Sequence, residues 1–167
     1  MRVLRYAWRV QVFLVRHAEA IAETLAIRDP YRHLTPHGRV QARALGDRLR
    51  WHDCVPTHVW ASPLVRAVQT AELVIAGIQH EVQIDVAPAL APDGSAREVI
   101  AALRTLPATA VVLLVGHEPA LSAIGAVLVG KADFDALGKA CAARLDDGRV
   151  RWRFAWDAEA PIAADRG

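Results

Sequence analysis

The chain has 167 residues, 53% apolar and 23% charged, with a formal net charge of +2, enough to bury one core without metals or disulfides and too short for two comfortable domains. Two cysteines, Cys54 and Cys141, exclude a disulfide scaffold and a zinc knuckle and suit a reducing compartment, so a cytoplasmic protein is expected. The apolar run at residues 111–115 falls far short of the roughly 18 residues of a membrane span, and the basic residues, all arginine except Lys131 and Lys139, are dispersed, so neither membrane nor nucleic acid is an expected partner.

Residues 1–9 read as a short N-terminal extension, in which Arg5 and Arg9 break any apolar stretch of the kind a cleaved signal peptide needs. Residues 10–15 (VQVFLV) form a buried strand that stops at Arg16-His17. After a poorly patterned loop, Thr35-Pro36 gives a cap followed by proline in the first helical position, and Val40, Ala44, Leu45 and Leu49 continue a helix to about Trp51. Residues 58–61 (HVWA) are a second strand, ended by Ser62-Pro63. Leu64, Val68, Ala71 and Ile75 then mark a second helix, which Gly77 is expected to close. A third strand covers residues 82–86, and Ser95-Ala96-Arg97-Glu98 has the form of a capping box ahead of Ile100, Leu103 and Leu106. Residues 110–115 are apolar on both faces, as a strand sandwiched between helices must be. A small-residue helix at 119–129 follows. Two last strands turn about Asp146-Asp147-Gly148, the second alternating Val150, Trp152, Phe154 and Trp156 with arginines. The alternation of strands and helices predicts an α/β fold: a three-layer α/β/α sandwich with a mostly parallel central sheet and an antiparallel edge hairpin. One domain is expected over residues 10–156, with residues 157–167 a loose C-terminal tail.

Ligands of open α/β sheets bind at the carboxyl ends of the strands. The residues there are Arg16 and His17 after the first strand, Ser62, Pro63 and then Arg66 after the second, and Gly116, His117 and Glu118 after the fourth. Two arginines and two histidines therefore meet on one rim, where helix N-termini also favour anions. Planar guanidinium forks match phosphoryl oxygens, and phosphoryl transfer demands little beyond in-line positioning and charge stabilisation. A histidine surrounded by cations keeps its ring neutral near pH 7 and so serves as a nucleophile, the role expected of His17. His117 is placed to donate a hydrogen bond to a phosphoryl oxygen.

Leu14-Val15-Arg16-His17-Ala18-Glu19 resembles the RHG signature of the histidine phosphatase (phosphoglycerate mutase-like) superfamily, and Ser62-Pro63-Leu64-Val65-Arg66-Ala67-Val68-Gln69-Thr70 is similar to its SPxxRAxQT segment. Gly116-His117-Glu118-Pro119 completes the set. The small size, the Arg32 to Gly38 segment and the Pro88 to Gly94 stretch look most like the SixA-type phosphohistidine phosphatases, over residues 10–156. The resemblance implies a phosphoglycerate mutase-like fold, a covalent phosphohistidine on His17, a phosphoryl group held by Arg16 and Arg66, and a pocket completed by His117. It implies a phosphorylated protein as substrate, such as a histidine phosphotransfer domain, inhibition by phosphate mimics, and no cofactor. Ala18 departs from the family's usual glycine. Members acting on alkyl phosphates carry a glutamate general acid after the third strand, which SixA-type proteins lack; here the nearest carboxylate is Asp93. A phosphohistidine can release an imidazole whose other ring nitrogen is already protonated, so the acid is dispensable for it.

Arg32 on the long first loop is a further candidate for phosphate contact, and Glu19 and Glu118, each beside a candidate histidine, for orienting the pocket. Asp93-Gly94 is first of all a turn pair, with an acid or substrate-contact role as the functional alternative. His33 and His37 stand four apart, but Pro36 lies between them and no carboxylate or cysteine set joins them, so no metal is expected. Two other functions fit the same residues: a small-molecule phosphomonoesterase, and a phosphate- or phosphoprotein-binding module without turnover.

Overall fold

A strand that is apolar at every position needs cover on both faces, and the element at the centre of the sheet receives it. The computed structural model describes residues 9–163. Its strands are β1 (Gln11–Arg16), β2 (His58–Ala61), β3 (Ile84–Val86), β4 (Val111–Gly116), β5 (Cys141–Asp146), β6 (Arg149–Ala155) and β7 (Ile162–Ala163), and its helices α1 (Pro36–Arg50), α2 (Val65–Ile78), α3 (Ala96–Arg104) and α4 (Ala120–Val129). The strands form one sheet in the order β3-β2-β4-β1-β5-β6-β7. The first four run parallel, and β5 pairs antiparallel with β1. Phe13 and Val15 point into a core shared with Leu45, Leu49, Ala71 and Val74 of α1 and α2. Val12 and Leu14 point into the opposite core, with Ile100 and Leu103 of α3 and Leu121, Ile124 and Leu128 of α4. The α/β/α sandwich and its antiparallel edge are as the sequence predicts.

The chain steps outward from β1 to β2 and β3 with α1 and α2 on one face. It then crosses by α3 and returns β4 between β1 and β2. Strands β1 and β4 thus end side by side, and the crevice at their carboxyl ends is the topological switch point.

Local signals act where they stand. Thr35 Oγ1 accepts from the Gly38 N–H at 2.9 Å to start α1, and Ser95 Oγ accepts from the Glu98 N–H at 3.3 Å to start α3. Asp147 and Gly148 both have positive φ, 49° and 69°, as a two-residue hairpin loop of the primed type requires. Gly77 does not close α2. The helix runs one residue further and ends on Gln79 in the left-handed region. Gly77 serves packing instead: a Cβ there would lie 2.6 Å from the Arg43 carbonyl oxygen and 2.8 Å from the Gly46 Cα, so the two glycines let α1 and α2 touch backbone to backbone.

Residues 157–163 are not a loose tail. Trp152 and Arg153 of β6 pair with Ala163 and Ile162 of β7, and Arg48 Nε donates to the Ala158 carbonyl. The outer edge of β6 would otherwise present unpaired backbone groups, and the returning chain satisfies some of them. Two-residue strands leave no periodicity to read. Residues 1–8, nearly all of the expected N-terminal extension, and 164–167 lie outside the described residues. Among the described residues no helix is long and apolar enough to cross a membrane.

A side chain at position 46 would meet the Val74 carbonyl oxygen at 2.2 Å. Gly46→Val is therefore expected to lower stability by about 2–3 kcal/mol through overpacking, read as a lower urea midpoint at unchanged m-value. Val127→Ala, at an exposed position on α4, should stay within about 0.5 kcal/mol of the parent. Equal midpoints for Gly46→Val and the parent would contradict the close helix contact.

Candidate active site

The parallel register of β1 and β4 pairs Arg16 with Gly116. The ladder continues one residue further, with the His17 N–H donating to the Gly116 carbonyl at 3.0 Å. His17 and His117 therefore leave adjacent strand ends together, their rings tilted by 55° with centroids 5.0 Å apart. Both are buried.

His17 Nδ1 lies 2.7 Å from the Ala18 carbonyl oxygen. A carbonyl only accepts, so Nδ1 carries the ring proton and Nε2 keeps its lone pair. Burial lowers the ring's pKa to about 4 against the Ala18 hydrogen bond, and Arg66, Arg16 and Lys139 lower it further. At neutral pH this is an uncharged imidazole with one free, basic nitrogen.

His117 Nε2 lies 2.7 Å from Ser62 Oγ. That hydroxyl oxygen already accepts from the Leu64 N–H, and His117 is the only acceptor for its hydrogen among the described residues. Ser62 therefore donates to Nε2, and the His117 proton sits on Nδ1. Burial, then the neighbouring His17 and Arg66, hold the His117 pKa at about 3, so this ring too is neutral.

Four buried side-chain polar atoms among the described residues have no hydrogen-bond partner, and three of them are Arg16 Nε, Arg66 Nε and His117 Nδ1. An unsatisfied buried donor costs about 1–3 kcal/mol. Three such donors from residues gathered around one lone-pair nitrogen are the arrangement an anion needs. No one strand or helix supplies this set; the sheet assembles it.

The motif around Arg66 is explained by one face of α2. Arg66, Gln69 and Thr70 stand three and four apart. Gln69 Oε1 accepts from the Leu34 N–H at 2.8 Å, and Thr70 Oγ1 accepts from the Ala18 N–H at 3.0 Å while donating to the Arg66 carbonyl at 2.7 Å. The loop after β1 is thus pinned to the helix that carries Arg66. Ala18 is fully buried in the core with negative φ, so the methyl group that replaces the family's glycine packs into the core and meets no backbone restriction.

Arg16 is half-buried and donates from Nη1 to the Leu137 carbonyl at 2.9 Å. Glu118 holds that loop, accepting from the Leu137 N–H at 2.9 Å through one oxygen and from Ser122 N–H and Oγ through the other. It caps α4 and steadies Arg16's partner. Glu19 likewise accepts from Thr35 Oγ1 at 2.7 Å, while its backbone N–H donates to Gln41. Both glutamates therefore support the scaffold. Asp93 sits in an exposed turn, as its pairing with Gly94 suggests, and makes no hydrogen bond or ion pair among those observed. Arg32 spends Nε on the Ile21 carbonyl and Nη1 on Asp29. His37 packs edge-on against Trp156, and among the described residues no three His, Cys, Asp or Glu side chains are grouped as a metal would need.

Asp29 is the site residue that sequence reasoning missed. It opens a 3₁₀ turn, Asp29–Tyr31, in the long loop after β1. Arg66 Nη1 donates to its carbonyl oxygen at 2.9 Å and Nη2 to Oδ2 at 3.3 Å, while Arg32 Nη1 donates to Oδ1 at 2.8 Å. The Arg32 hydrogen bond first, and then Arg66, hold its carboxyl below the usual carboxylate range despite partial burial. An aspartate before Pro30 in an unpatterned loop reads as a turn residue. Its partners are 3 and 37 residues away in sequence, and only the fold brings the second one near. Lys139, also unexpected, follows Gly138 on the loop whose next residue, Ala140, donates its N–H to the His17 carbonyl at 3.2 Å.

Comparison with known proteins adds four findings. The sequence model described as Histidine phosphatase superfamily (branch 1) matches residues 12–91. The chain is 34% identical to the phosphohistidine phosphatase SixA homolog of Haemophilus influenzae over 131 residues, covering 73% of this chain and 79% of that one. It is 33% identical to phosphohistidine phosphatase SixA of Escherichia coli over 112 residues, 66% of this chain and 68% of that one. Its fold superposes on the structure of the protein histidine phosphatase SixA complexed with tungstate with a TM-score of 0.80 at 28% identity, covering 87% of this chain and 97% of the other.

The lowered pKa values carry a signed consequence for stability. Each ring is neutral in the folded state down to about pH 4 for His17 and about pH 3 for His117, whereas an unfolded histidine protonates near 6.5. The unfolded chain therefore binds more protons between those limits, and stability present at pH 7 is lost as the pH falls below 6.5. Between pH 7 and pH 5 the loss should be on the order of 2 kcal/mol per ring. Urea unfolding at the two pH values should show it, and His117→Gln should show a smaller drop than the parent. An identical drop in both proteins would contradict a buried, neutral His117.

Proposed function

The chain belongs to the histidine phosphatase superfamily, and from that premise we propose that it is a phosphatase that removes phosphate from phosphohistidine in proteins through a covalent intermediate on His17. The observation that carries this is the neutral His17 ring, its Nδ1 tied to Ala18 and its Nε2 lone pair free among buried donors without partners.

The roles follow from the atoms. His17 Nε2 attacks phosphorus, forming an N–P bond as the substrate's P–N bond breaks. The bonding pair returns to a ring whose other nitrogen already bears a proton, and it leaves as neutral imidazole. Arg16 and Arg66 hold the phosphoryl oxygens, each with its unpaired Nε–H, and His117 donates from Nδ1. Water then attacks phosphorus, the N–P pair returns to His17, restoring the resting tautomer, and both water protons leave with the product as dihydrogen phosphate. No step needs a carboxylic acid, in keeping with Asp93 in an exposed turn and with both glutamates engaged elsewhere. The connection between β3 and α3 is a short stretch with one 3₁₀ turn, Pro88–Leu90, which leaves room for a substrate as bulky as a protein. A histidine phosphotransfer domain in a signalling relay fits that description. Cytoplasmic residence suits the free Cys54 and Cys141.

Turnover of a phosphohistidine protein beside a panel of phosphate esters tests the proposal. The parent should favour the phosphohistidine protein, and rapid quenching should trap phosphate in an acid-labile, base-stable linkage. His17→Ala should lose turnover by about 10³-fold or more. Preference for unactivated alkyl esters would point to a phosphomonoesterase instead, and phosphate binding without turnover to a docking module.

Arg66→Lys should weaken tungstate binding by about 10-fold or more, because an ammonium offers a point charge where a planar fork is required. Isothermal titration reads this directly. Unchanged affinity would remove Arg66 from the anion site.

A further inference from the structure

We propose that Asp29 is a specificity-determining residue that selects substrates whose leaving group carries positive charge, the protonated ring of a phosphohistidine or another N-protonated phosphoramidate, over phosphate esters. The inference rests on the phosphoryl-transfer function proposed above.

Three observations carry it. The first is position along the reaction axis. In-line displacement puts the leaving group opposite the attacking nitrogen. His17 is only 7% exposed, so a leaving group opposite its attacking nitrogen departs toward solvent. The Asp29 side chain is 40% exposed while the Arg66 side chain it contacts is 6% exposed, so the carboxylate lies nearer solvent than the guanidinium it holds, as a group that meets the leaving group must. The second is charge. Oδ1 and Oδ2 each accept from a different arginine, and hydrogen bonds to a carboxylate favour its ionised form, so Asp29 stays an anion and does not donate a proton. The third is that the other candidate carboxylates are elsewhere: Glu19 is bound to Thr35, Glu118 to Ser122 and Leu137, and Asp93 stands in an exposed turn.

An anion in that place acts in two directions. It attracts a cationic ring and so raises the bound fraction of the N-protonated phosphohistidine, which is the form that leaves as neutral imidazole. It also takes up part of the field of Arg66 and Arg32, which weakens the hold on phosphoryl groups with no cation attached. The cost falls mainly on esters.

The test compares kcat/KM for a phosphohistidine peptide and for para-nitrophenyl phosphate on the same preparations of the parent, Asp29→Asn and Asp29→Glu. Asp29→Asn keeps the shape and removes the charge. It should lower the ratio of phosphohistidine to ester turnover by about ten-fold, the scale of one partly exposed charge interaction, and should tighten tungstate binding several-fold. Asp29→Glu should restore part of the ratio. A purely structural role for Asp29 would lower both substrates together and weaken tungstate binding, and that result overturns the inference while leaving the phosphatase function intact. A parent protein that turns over neither substrate overturns both.

Discussion

The parallel pairing of β1 with β4 is the constraint on which the site depends. Because Arg16 faces Gly116 across that ladder, the next residues on the two strands, His17 and His117, emerge at the same height with their rings in contact. Side chains alternate between the faces of a sheet, so a slip of one residue would send one ring to the other face and separate the two histidines. The register is held by a strand pair buried on both sides, where Phe13 and Val15 must point to α1 and α2 and Val12 and Leu14 to α3 and α4. Any slip would exchange these two sets. Core packing and the juxtaposition of His17 with His117 are therefore the same requirement.

Around that pair the fold gathers positive charge and unpaired donors at a cost in stability. Arg66 is nearly as buried as the core, and burial, with the nearby Arg32, pushes its pKa down. Asp29 offsets this from one side of the guanidinium and leaves Nε–H without a partner. The surrounding contacts hold loops in place: Thr70 to Ala18, Gln69 to Leu34, Glu118 to Leu137 and thence to Arg16. Close backbone approach serves the same purpose at Gly38, where a Cβ would lie 2.0 Å from the Glu19 carbonyl oxygen. The start of α1 is thus seated on the segment that follows His17. Preorganised donors need no reorganisation when charge develops on a transferring phosphoryl group.

The chemistry that results is economical in protons. Both rings are neutral for the same main reason, burial, and both carry the hydrogen on Nδ1, but they differ in which nitrogen a neighbour occupies. Ala18 occupies Nδ1–H of His17 and leaves the Nε2 lone pair free, as the proposed nucleophile needs, whereas Ser62 occupies Nε2 of His117 and leaves Nδ1–H free, as the proposed donor needs. Two identical side chains take different roles because one has a carbonyl for a neighbour and the other a hydroxyl. For the imidazole leaving group proposed, the site has no use for a general acid, and the carboxylates near it are bound to arginines, hydroxyls or backbone.

Strand and helix positions, the α/β class and the four residues at the strand ends were legible in the chain, because each follows from local periodicity or from a short motif: VQVFLV stopping at Arg16-His17, Thr35-Pro36, Ser95 with Glu98, and Ser62-Pro63 ahead of Arg66. Where contacts link distant segments, the sequence was silent. Gly77 carries the same local signal whether it ends a helix or receives a neighbouring backbone, and only the approach of Gly46 decides for packing. The expected loose tail contains a strand because β6 has an edge to cover, a fact about the sheet and not about residues 157–163. Glu19, Glu118 and Arg32 stand beside motif residues, yet hydrogen bonds to Thr35, Leu137 and Asp29 turn them to support. Asp29 itself, an aspartate before a proline, gains its meaning from Arg66, 37 residues later in the chain. Local propensity depends on neighbours in sequence, so the sequence determined the elements and the residues at their ends, Arg16 and Arg66 among them; electrostatic partnership depends on neighbours in space, so the tertiary structure alone decided that Asp29 joins Arg66 while Glu19, Glu118 and Arg32 are held by other partners.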